Sequence, residues 1–314
     1  MQSAIEQHAL ELSMQRPSFK FAVLAAIVTS ASAALAQAPF QSGVDLVALD
    51  VCVSNRDGHA ATELRPEDFL VLENDVPQKI SLFSAGGHVP LAVSLVVDGS
   101  QSMMGARLER ARAAAAGLID VLRPDDLVEV MSFNDHATVR YPMGADHARA
   151  KSALDEISAG GATALHAAVL LAVHNQEHAR QNRSSDYRDV IVLLSDGENT
   201  DIHVTFDRVL DDVRRSGVLV YTISLTDTHD RIAAPSWEMA QLAFDTGGLA
   251  VASRDPASLT GIYQEIAAEL LHLYRLGYVP SPLTHDGSWR RLAVRVPASG
   301  VVVRTRSGYF APGS

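Results

Sequence analysis

From Leu91 onward the sequence alternates short apolar runs with longer amphipathic segments, and this alternation constrains the fold more than any other feature. The first run, residues 91–98 (LAVSLVVD), is apolar at almost every position, as in a strand buried on both faces of a sheet. A helix-like segment, residues 107–122, follows and ends before Pro124. Strands and helices in this order are typical of a parallel sheet covered by helices on both faces.

The alternation continues to about residue 272 and predicts six strands and six helices. A turn at Asn134-Asp135 is too short to join parallel neighbours, so the second and third strands are expected to form a hairpin. The expected fold class is α/β, with a doubly wound, mostly parallel six-stranded sheet of the Rossmann-like type. The predicted strands are 91–98, 127–133, 137–143, 189–196, 218–225 and 249–253, and the predicted helices are 107–122, 147–158, 162–179, 206–217, 235–248 and about 256–272.

The segments on either side of this unit differ from it because neither shows a helical pattern. Residues 37–90 contain three strand-like runs separated by turn residues, and residues 273–314 contain three more. Each segment, at about 40 residues, is near the lower limit at which a lone sheet buries enough surface to be stable. The sequence therefore predicts a flanking β-sandwich made from the N- and C-terminal segments, with the α/β unit (residues 91–272) inserted between them.

The N-terminus is typical of a secretory signal peptide. Two basic residues precede an apolar run at residues 21–28, and small residues follow up to Ala36. The run is well short of the roughly 20 apolar residues that span a membrane, so no stable membrane anchor is expected. Residues 1–36 are therefore predicted to be removed on export to the periplasm or the medium. A translation start at Met14 stays open, because the residues before it include acids that do not suit a positive leader.

Net charge and cysteine content each support one expectation. The formal net charge is −11 and the basic residues do not cluster, which argues against nucleic acid as a partner. Cys52 is the only cysteine and has no disulfide partner within the chain. We expect it to be a small buried hydrophobic residue.

Oxygen-bearing side chains lie where predicted strands end and helices begin. Asp98, Ser100 and Ser102 come at the end of the first strand of the α/β unit, Asp196 at the end of the fourth, and Thr163 at a helix start. In open α/β sheets, ligands bind at the carboxyl edge of the strands. The sequence therefore predicts that these five side chains converge on one site.

The chemistry of the five side chains indicates a hard divalent cation. Carboxylates and hydroxyls without cysteine or suitably spaced histidine favour Mg²⁺ or Mn²⁺, with Ca²⁺ possible and zinc a poor match. Two carboxylates and three neutral hydroxyls leave such an ion with residual positive charge. It would therefore accept one more anionic oxygen from outside the chain.

The D-x-S-x-S motif at residues 98–102, with Thr163 and Asp196, resembles the metal-ion-dependent adhesion site of von Willebrand factor type A (VWA) and integrin I domains. The order of six strands and six helices over residues 91–272 is also similar to theirs. The resemblance implies that the hydroxyls ligate the metal directly or in alternate states, and that the two aspartates do so directly or through water. It also implies a protein partner that presents a Glu or Asp carboxylate.

The two flanks carry a looser resemblance. EDFLVLENDVPQKI before the α/β unit, and YRLGYVP to SGYFAP after it, are similar to segments of a bacterial family of exported VWA-related proteins. This looser resemblance implies export. Together with the adhesion-site motif, it predicts an exported, metal-dependent protein-binding module for adhesion or assembly, and the missing catalytic groups argue against an enzyme.

Two alternative functions stay open at this point. In the first, the chain is a structural module of an envelope assembly, and the metal only stabilises the fold. In the second, Asp98 is the nucleophile of a phosphatase, although the general acid expected two residues later is Ser100 here. A D-x-S-x-S motif alone is also typical of turns and helix caps.

Four further residues lie near the predicted metal site in the sequence, and their roles are less specific. His166 either approaches the site or is simply packed or solvated. Glu198 and Asp201 either support the metal ligands or lie in a solvated loop. Gly105 is expected to serve only the geometry of its loop.

Overall fold

A computed structural model describes residues 46–56, 58–86, 89–183, 186–196, 199–226 and 236–313. The predicted signal peptide, residues 1–36, lies outside the described residues. The strands are β1 (Val47–Asn55), β2 (Leu70–Glu73), β3 (Val76–Gln78), β4 (Ile80–Ser84), β5 (Leu91–Asp98), β6 (Leu127–Phe133), β7 (Ala137–Gly144), β8 (Arg188–Ser195), β9 (Leu219–Leu225), β10 (Ala250–Ser253), β11 (Tyr274–Tyr278), β12 (Trp289–Arg295), β13 (Val301–Arg304) and β14 (Gly308–Phe310). The α-helices are α1 (Ala106–Val121), α2 (His147–Leu154), α3 (Leu165–Gln181), α4 (Phe206–Ser216), α5 (Trp237–Thr246) and α6 (Leu259–Leu271).

A six-stranded sheet in the order β10-β9-β8-β5-β6-β7 forms the centre of the α/β unit. All its pairs are parallel except β6 with β7, which form the expected hairpin. Every residue of β5 and β8 is buried, because helices cover both faces of the sheet. The predicted α/β fold class is confirmed.

The loop between α2 and α3 is longer than the sequence pattern predicted. Helix α2 ends at Leu154 instead of residue 158, and α3 begins at Leu165 instead of residue 162. Gly161 explains part of this difference, since its φ of 80° is a left-handed conformation that interrupts a helix. A Cβ atom at Gly161 would also lie 2.2 Å from Oδ2 of Asp135. The loop brings Thr163 to the carboxyl edge of the sheet.

The flanking segments form two antiparallel four-stranded sheets, ordered β13-β1-β11-β4 and β14-β12-β2-β3. Each sheet combines strands from before and after the α/β unit, as predicted. One strand more than expected is present in each segment. Asn74 and Asp75, at φ 46° and 65°, form a tight turn that lets β2 pair with the unpredicted β3. The last predicted run divides into β13 and β14.

The two flanking sheets share one apolar core. Val51 and Tyr274 contribute to it from one sheet, and Val71 and Leu292 contribute from the other. The flanking β-sandwich of the predicted fold class is therefore present. The domain boundaries themselves, with segments 37–90 and 273–314 flanking a unit at 91–272, stay a proposal.

A partly buried polar cluster links the sandwich to the central domain. Arg304 on β13 forms an ion pair with Glu269 on α6, and Glu269 also accepts a 2.6 Å hydrogen bond from the hydroxyl of Tyr221 on β9. Arg304 Nη2 donates to Sγ of Cys52 at 3.2 Å. Cys52 is buried, as predicted.

Candidate metal site

Asp98 and Asp196 lie at the same edge of the central sheet. Asp98 is the last residue of β5, and Asp196 directly follows β8, the parallel neighbour of β5. The register pairs Val97 with Leu194, so the two strands end side by side. This is the carboxyl edge, where open α/β sheets bind ligands.

Both carboxylate oxygens of Asp98 accept hydrogen bonds within the protein. Oδ1 accepts from the backbone N–H of Ser100 at 2.7 Å, and Oδ2 accepts from the hydroxyl of Ser195 at 2.5 Å. Asp98 and Ser195 are fully buried, and Ser100 is nearly so. The carboxylate is therefore fixed in orientation by the two residues that flank it on the sheet edge.

Ser102 connects the Asp98 loop to Asp196. Its hydroxyl lies 3.0 Å from the hydroxyl of Ser100 and donates to Oδ1 of Asp196 at 2.7 Å. Ser102 is exposed, whereas the Asp196 side chain is buried. Four of the five residues selected from the sequence thus form one hydrogen-bonded cluster, which is exposed at Ser102.

Arg107, in the first turn of α1, contacts the same cluster. Its Nη1 donates to Oδ2 of Asp196 at 2.6 Å, and the arginine side chain is 26% exposed. Each Asp196 oxygen therefore has its own donor, one from a hydroxyl and one from a guanidinium.

Thr163 lies in the loop beside this cluster. The loop is held against the Asp98 segment by a 3.1 Å bond from Gln101 N–H to the carbonyl of Gly161. The backbone N–H of Thr163 donates to the Thr200 hydroxyl at 2.9 Å, and its carbonyl accepts from Thr200 N–H at 2.9 Å. Thr163 is 6% exposed. It is thus anchored through its backbone at the expected edge.

His166 is packed, and both its ring nitrogens have protein partners. Nδ1 lies 2.8 Å from the carbonyl of Val204, and Nε2 lies 3.0 Å from a carboxylate oxygen of Glu238. Asp201 accepts a bond from the backbone of His203 within its own loop. Glu198 lies outside the described residues.

Gly105 serves its loop, as predicted. Its φ is 79°, a left-handed conformation, and it is the N-cap of α1. A Cβ atom there would meet nothing within 4 Å, so the backbone conformation is the reason for glycine at this position.

Three residues at the site were not found from the sequence. Ser195 interrupts the apolar run of β8 just before Asp196, which was a usable signal. Arg107 is a cation near a helix N-terminus, where the helix dipole disfavours positive charge, and this was a second signal. Thr200 contacts Thr163 across 37 residues of chain, and no sequence pattern marks it.

The carboxyl pKa of Asp98 is raised by its surroundings. Burial raises the pKa of its carboxyl, and the negative charge of Asp196 raises it further, while the hydrogen bonds from Ser195 and Ser100 act in the opposite direction. Two carboxylates thus lie close enough to influence each other at a mostly buried edge. A cation between them would relieve this repulsion.

The donor set fits an oxygen-ligated divalent cation. The described residues contain no group of three or more His, Cys, Asp or Glu side chains placed to hold a metal. Two buried carboxylates with adjacent hydroxyls match the hard-ligand preference of Mg²⁺ and Mn²⁺. The five candidate ligands are Asp98, Ser100, Ser102, Thr163 and Asp196.

The central sheet is doubly wound and mostly parallel, and it carries carboxylates and hydroxyls at its carboxyl edge. α/β domains of this class bind ligands through the loops of that edge. The family model of the von Willebrand factor type A domain matches residues 93–265, more than half of the chain. The chain belongs to this family. VWA domains are commonly protein-interaction modules that bind a divalent metal at a metal-ion-dependent adhesion site.

Relatives and solved structures agree with the family. An uncharacterised protein of Synechocystis sp. is 31% identical over 190 residues, which cover 60% of this chain and 41% of that protein. Inter-alpha-trypsin inhibitor heavy chain H4 of Sus scrofa is 30% identical over 199 residues, covering 60% and 21%. This chain thus matches less than half the length of either relative.

A solved von Willebrand factor type A protein from Catenulispora acidiphila superposes with a TM-score of 0.52. It is 15% identical, and the superposition covers 87% of this chain and 76% of that one. At this identity the likeness shows the fold alone.

Proposed function

We propose that this chain binds an acidic protein partner through a divalent cation held by Asp98, Ser100, Ser102, Thr163 and Asp196. The observation that carries the proposal is the continuous hydrogen-bonded cluster that joins four of these residues at the carboxyl edge of the sheet. The cation, Mg²⁺ or Mn²⁺ by the donor set, would supply a positive centre for a Glu or Asp carboxylate of the partner.

The surroundings of the cluster favour a protein partner. Met104 is 57% exposed two residues after Ser102, and Ile202 is 89% exposed on the loop that follows Asp196. Apolar side chains lose water where a protein partner covers them, so each would add apolar contact area to an interface at these loops. The loops would therefore supply apolar contact around one charged interaction.

The position of Asp98 supports binding over nucleophilic catalysis. Its carboxylate is fully buried, and both oxygens accept hydrogen bonds from Ser100 and Ser195. A carboxylate oxygen that accepts one hydrogen bond keeps a second lone pair for a cation. A phosphatase would also need a general acid two residues after its nucleophile, and that position is Ser100 here.

Calorimetric titration of Mg²⁺ and Mn²⁺ tests the proposed site. Asp98→Asn keeps the shape of the side chain and removes its charge, so we expect it to weaken metal binding at least about tenfold. Thr163→Ala removes one hydroxyl and is expected to have a smaller effect. Asp120→Asn is the control, because Asp120 is an exposed carboxylate of α1 that pairs with Lys151 of α2 and has no contact with the candidate ligands.

Partner binding is then measured with metal and with chelator. We expect the partner to be lost in chelator and in Asp98→Asn, and to be retained by Asp120→Asn. Equal metal affinity in all variants would refute the site. Metal binding without any effect on the partner would support the structural alternative, in which the metal only stabilises the fold.

We also propose that the chain is exported, with Gln37 as the first residue of the mature protein. The signal-like pattern of residues 1–36 supports this proposal. Within the described part of the chain, no helix combines the length and apolarity needed to cross a membrane. N-terminal sequencing of protein from the periplasm and from the medium tests the cleavage site, and a mature product that retains residues 21–28 would contradict it.

A further inference from the structure

We propose that Arg107 is a specificity-determining residue of the candidate metal site, which weakens metal binding and strengthens binding of the partner's carboxylate. The proposal rests on the proposed function. Its structural basis is the 2.6 Å ion pair between Arg107 Nη1 and Oδ2 of Asp196.

The ion pair involves the buried carboxylate of the site. The Asp196 side chain has no exposed surface, whereas Arg107 is 26% exposed and so reaches the site from its solvent side. Ser102 occupies the other Asp196 oxygen at 2.7 Å. A cation that binds Asp196 must therefore share this carboxylate with a guanidinium that is already in place.

The position of Arg107 in α1 is unfavourable for a positive charge. It is the second residue of the helix, where the partial positive charge of the helix N-terminus repels cations. The contact with Asp196 offsets this repulsion. The same helix carries Arg110, which pairs at its surface with Asp255, so the two arginines differ mainly in whether they reach the site.

The charges predict opposite effects on the two ligands. The formal charges of a divalent ion and the ionised carboxylates of Asp98 and Asp196 sum to zero, so the residual positive charge expected from the ligand set alone needs a further cation. The Arg107 guanidinium, which contacts Asp196, supplies that positive charge. Positive charge repels the entering metal but attracts an entering carboxylate. Removing Arg107 should therefore tighten metal binding and weaken carboxylate binding, which loss of a merely structural contact would not do.

The test uses Mn²⁺ as the metal and acetate as the carboxylate probe. Mn²⁺ is titrated by calorimetry into the whole chain, and acetate is then titrated into the Mn²⁺-saturated protein while water proton relaxation is recorded. We expect Arg107→Gln to bind Mn²⁺ about tenfold more tightly, a change of about 1.4 kcal/mol, and acetate about tenfold more weakly. Arg107→Lys, which keeps the charge, and Arg110→Gln, the matched control, should stay within about threefold of wild type.

Arg107→Met is a second neutral variant that keeps the apolar stem of the side chain, in case the glutamine variant does not fold. Equal or weaker Mn²⁺ binding by the neutral variants would overturn the proposal, and so would loss of folding in both. If wild type itself binds no Mn²⁺, the proposed function fails as well. If wild type binds Mn²⁺ and all variants match it, only the role of Arg107 fails.

Discussion

Oδ1 of Asp50, on the first strand of the sandwich, accepts a 2.8 Å hydrogen bond from Nε of Arg188, the first residue of β8 in the central sheet. The Arg188 side chain is 3% exposed, and its Nη1 also donates to the carbonyl of Leu270. Asp50 accepts two further bonds from Arg275 on β11. One carboxylate thus balances two arginines where the sandwich meets the α/β domain.

We expect Asp50→Asn to destabilise the chain by about 3–5 kcal/mol, because it leaves the buried Arg188 charge without its counter-ion. The measurement is the free energy of unfolding in urea. Asp186→Asn is the matched control, since Asp186 also pairs with Arg275 but its side chain is 82% exposed. Its effect should be below about 1 kcal/mol. Equal effects of the two substitutions would contradict the buried-charge explanation.

Asp50 also makes the free energy of unfolding depend on pH in the acid range. Burial raises the pKa of its carboxyl, but Arg188 and Arg275 outweigh this and hold the pKa below its ordinary value. The folded protein therefore binds this proton more weakly than the unfolded chain does. The contribution of Asp50 is present above the unfolded pKa and is lost as the pH falls through the folded pKa. Asp50→Asn should remove that part of the acid sensitivity.

Glu129 predicts a pH dependence of the opposite sign. It is a buried residue of β6, and its carboxylate accepts 2.7 Å bonds from Ser94 and Asn175. Burial dominates these bonds and raises its pKa to about 7. The folded state thus holds the proton more tightly than the unfolded state, so stability is greatest below about pH 4.5 for this group and falls as the pH rises to about 7.

We expect Glu129→Gln to remove this dependence and to stabilise the protein at pH 8 by up to about 3 kcal/mol. Unfolding in urea at several pH values gives the slope. Glu265→Gln, at an exposed position of α6, is the matched control and should leave the slope unchanged. A wild-type slope in Glu129→Gln would show that Glu129 is not the group responsible.

Gly248 lies where the chain between α5 and β10 passes close to β9. A Cβ atom at this position would lie 2.0 Å from the carbonyl oxygen of Val220, so we expect Gly248→Ala to destabilise by at least about 1–3 kcal/mol. Gly261→Ala is the control, because a Cβ atom there meets nothing within 4 Å in a helix. It should stabilise by about 0.5–1 kcal/mol. Thermal melting of both variants measures the difference in sign.

Cys52 should be unreactive in the folded protein. Burial raises the pKa of its thiol to about 11, and the negative charge of Glu269 adds to this despite the opposing charge of Arg304. The reactive thiolate is therefore scarce at pH 8, and the sulfur is also inaccessible. Alkylation by iodoacetamide should be slow in the native chain and fast after denaturation. Fast native alkylation would mean that the sandwich opens at β1.

The sequence was sufficient for the parts of the fold that depend on local pattern. Continuous apolar runs identify β5 and β8, and the order of strands and helices is enough to predict Asp98 and Asp196 at one edge of the sheet. Turn chemistry at Asn134 predicted the single antiparallel pair of the central sheet. These features are predictable because each arises from neighbouring residues or from the general rule for parallel sheets.

Other features depend on contacts between distant residues. β3 contains Pro77 and only three residues, and it is a strand only because β2 pairs with it. Glu129 and Asp50 each lie in a strand-like run, where one charged residue resembles an ordinary solvent-facing position. Arg107 and Asp196 are 89 residues apart. No local pattern reports such partners, so the charge balance of the site required the structure.

Strand β8 separates the candidate metal site from the contact between the sandwich and the α/β domain, and this distance affects which substitutions the protein can accept. Asp50 meets β8 at its first residue and Asp196 follows its last, so eight strand residues, about 26 Å, separate the joint from the site. Effects of substitutions at that distance are usually additive. Loops such as the one that carries Met104 and the one that carries Ile202 can therefore diversify to suit new partners without compensating changes in the sandwich.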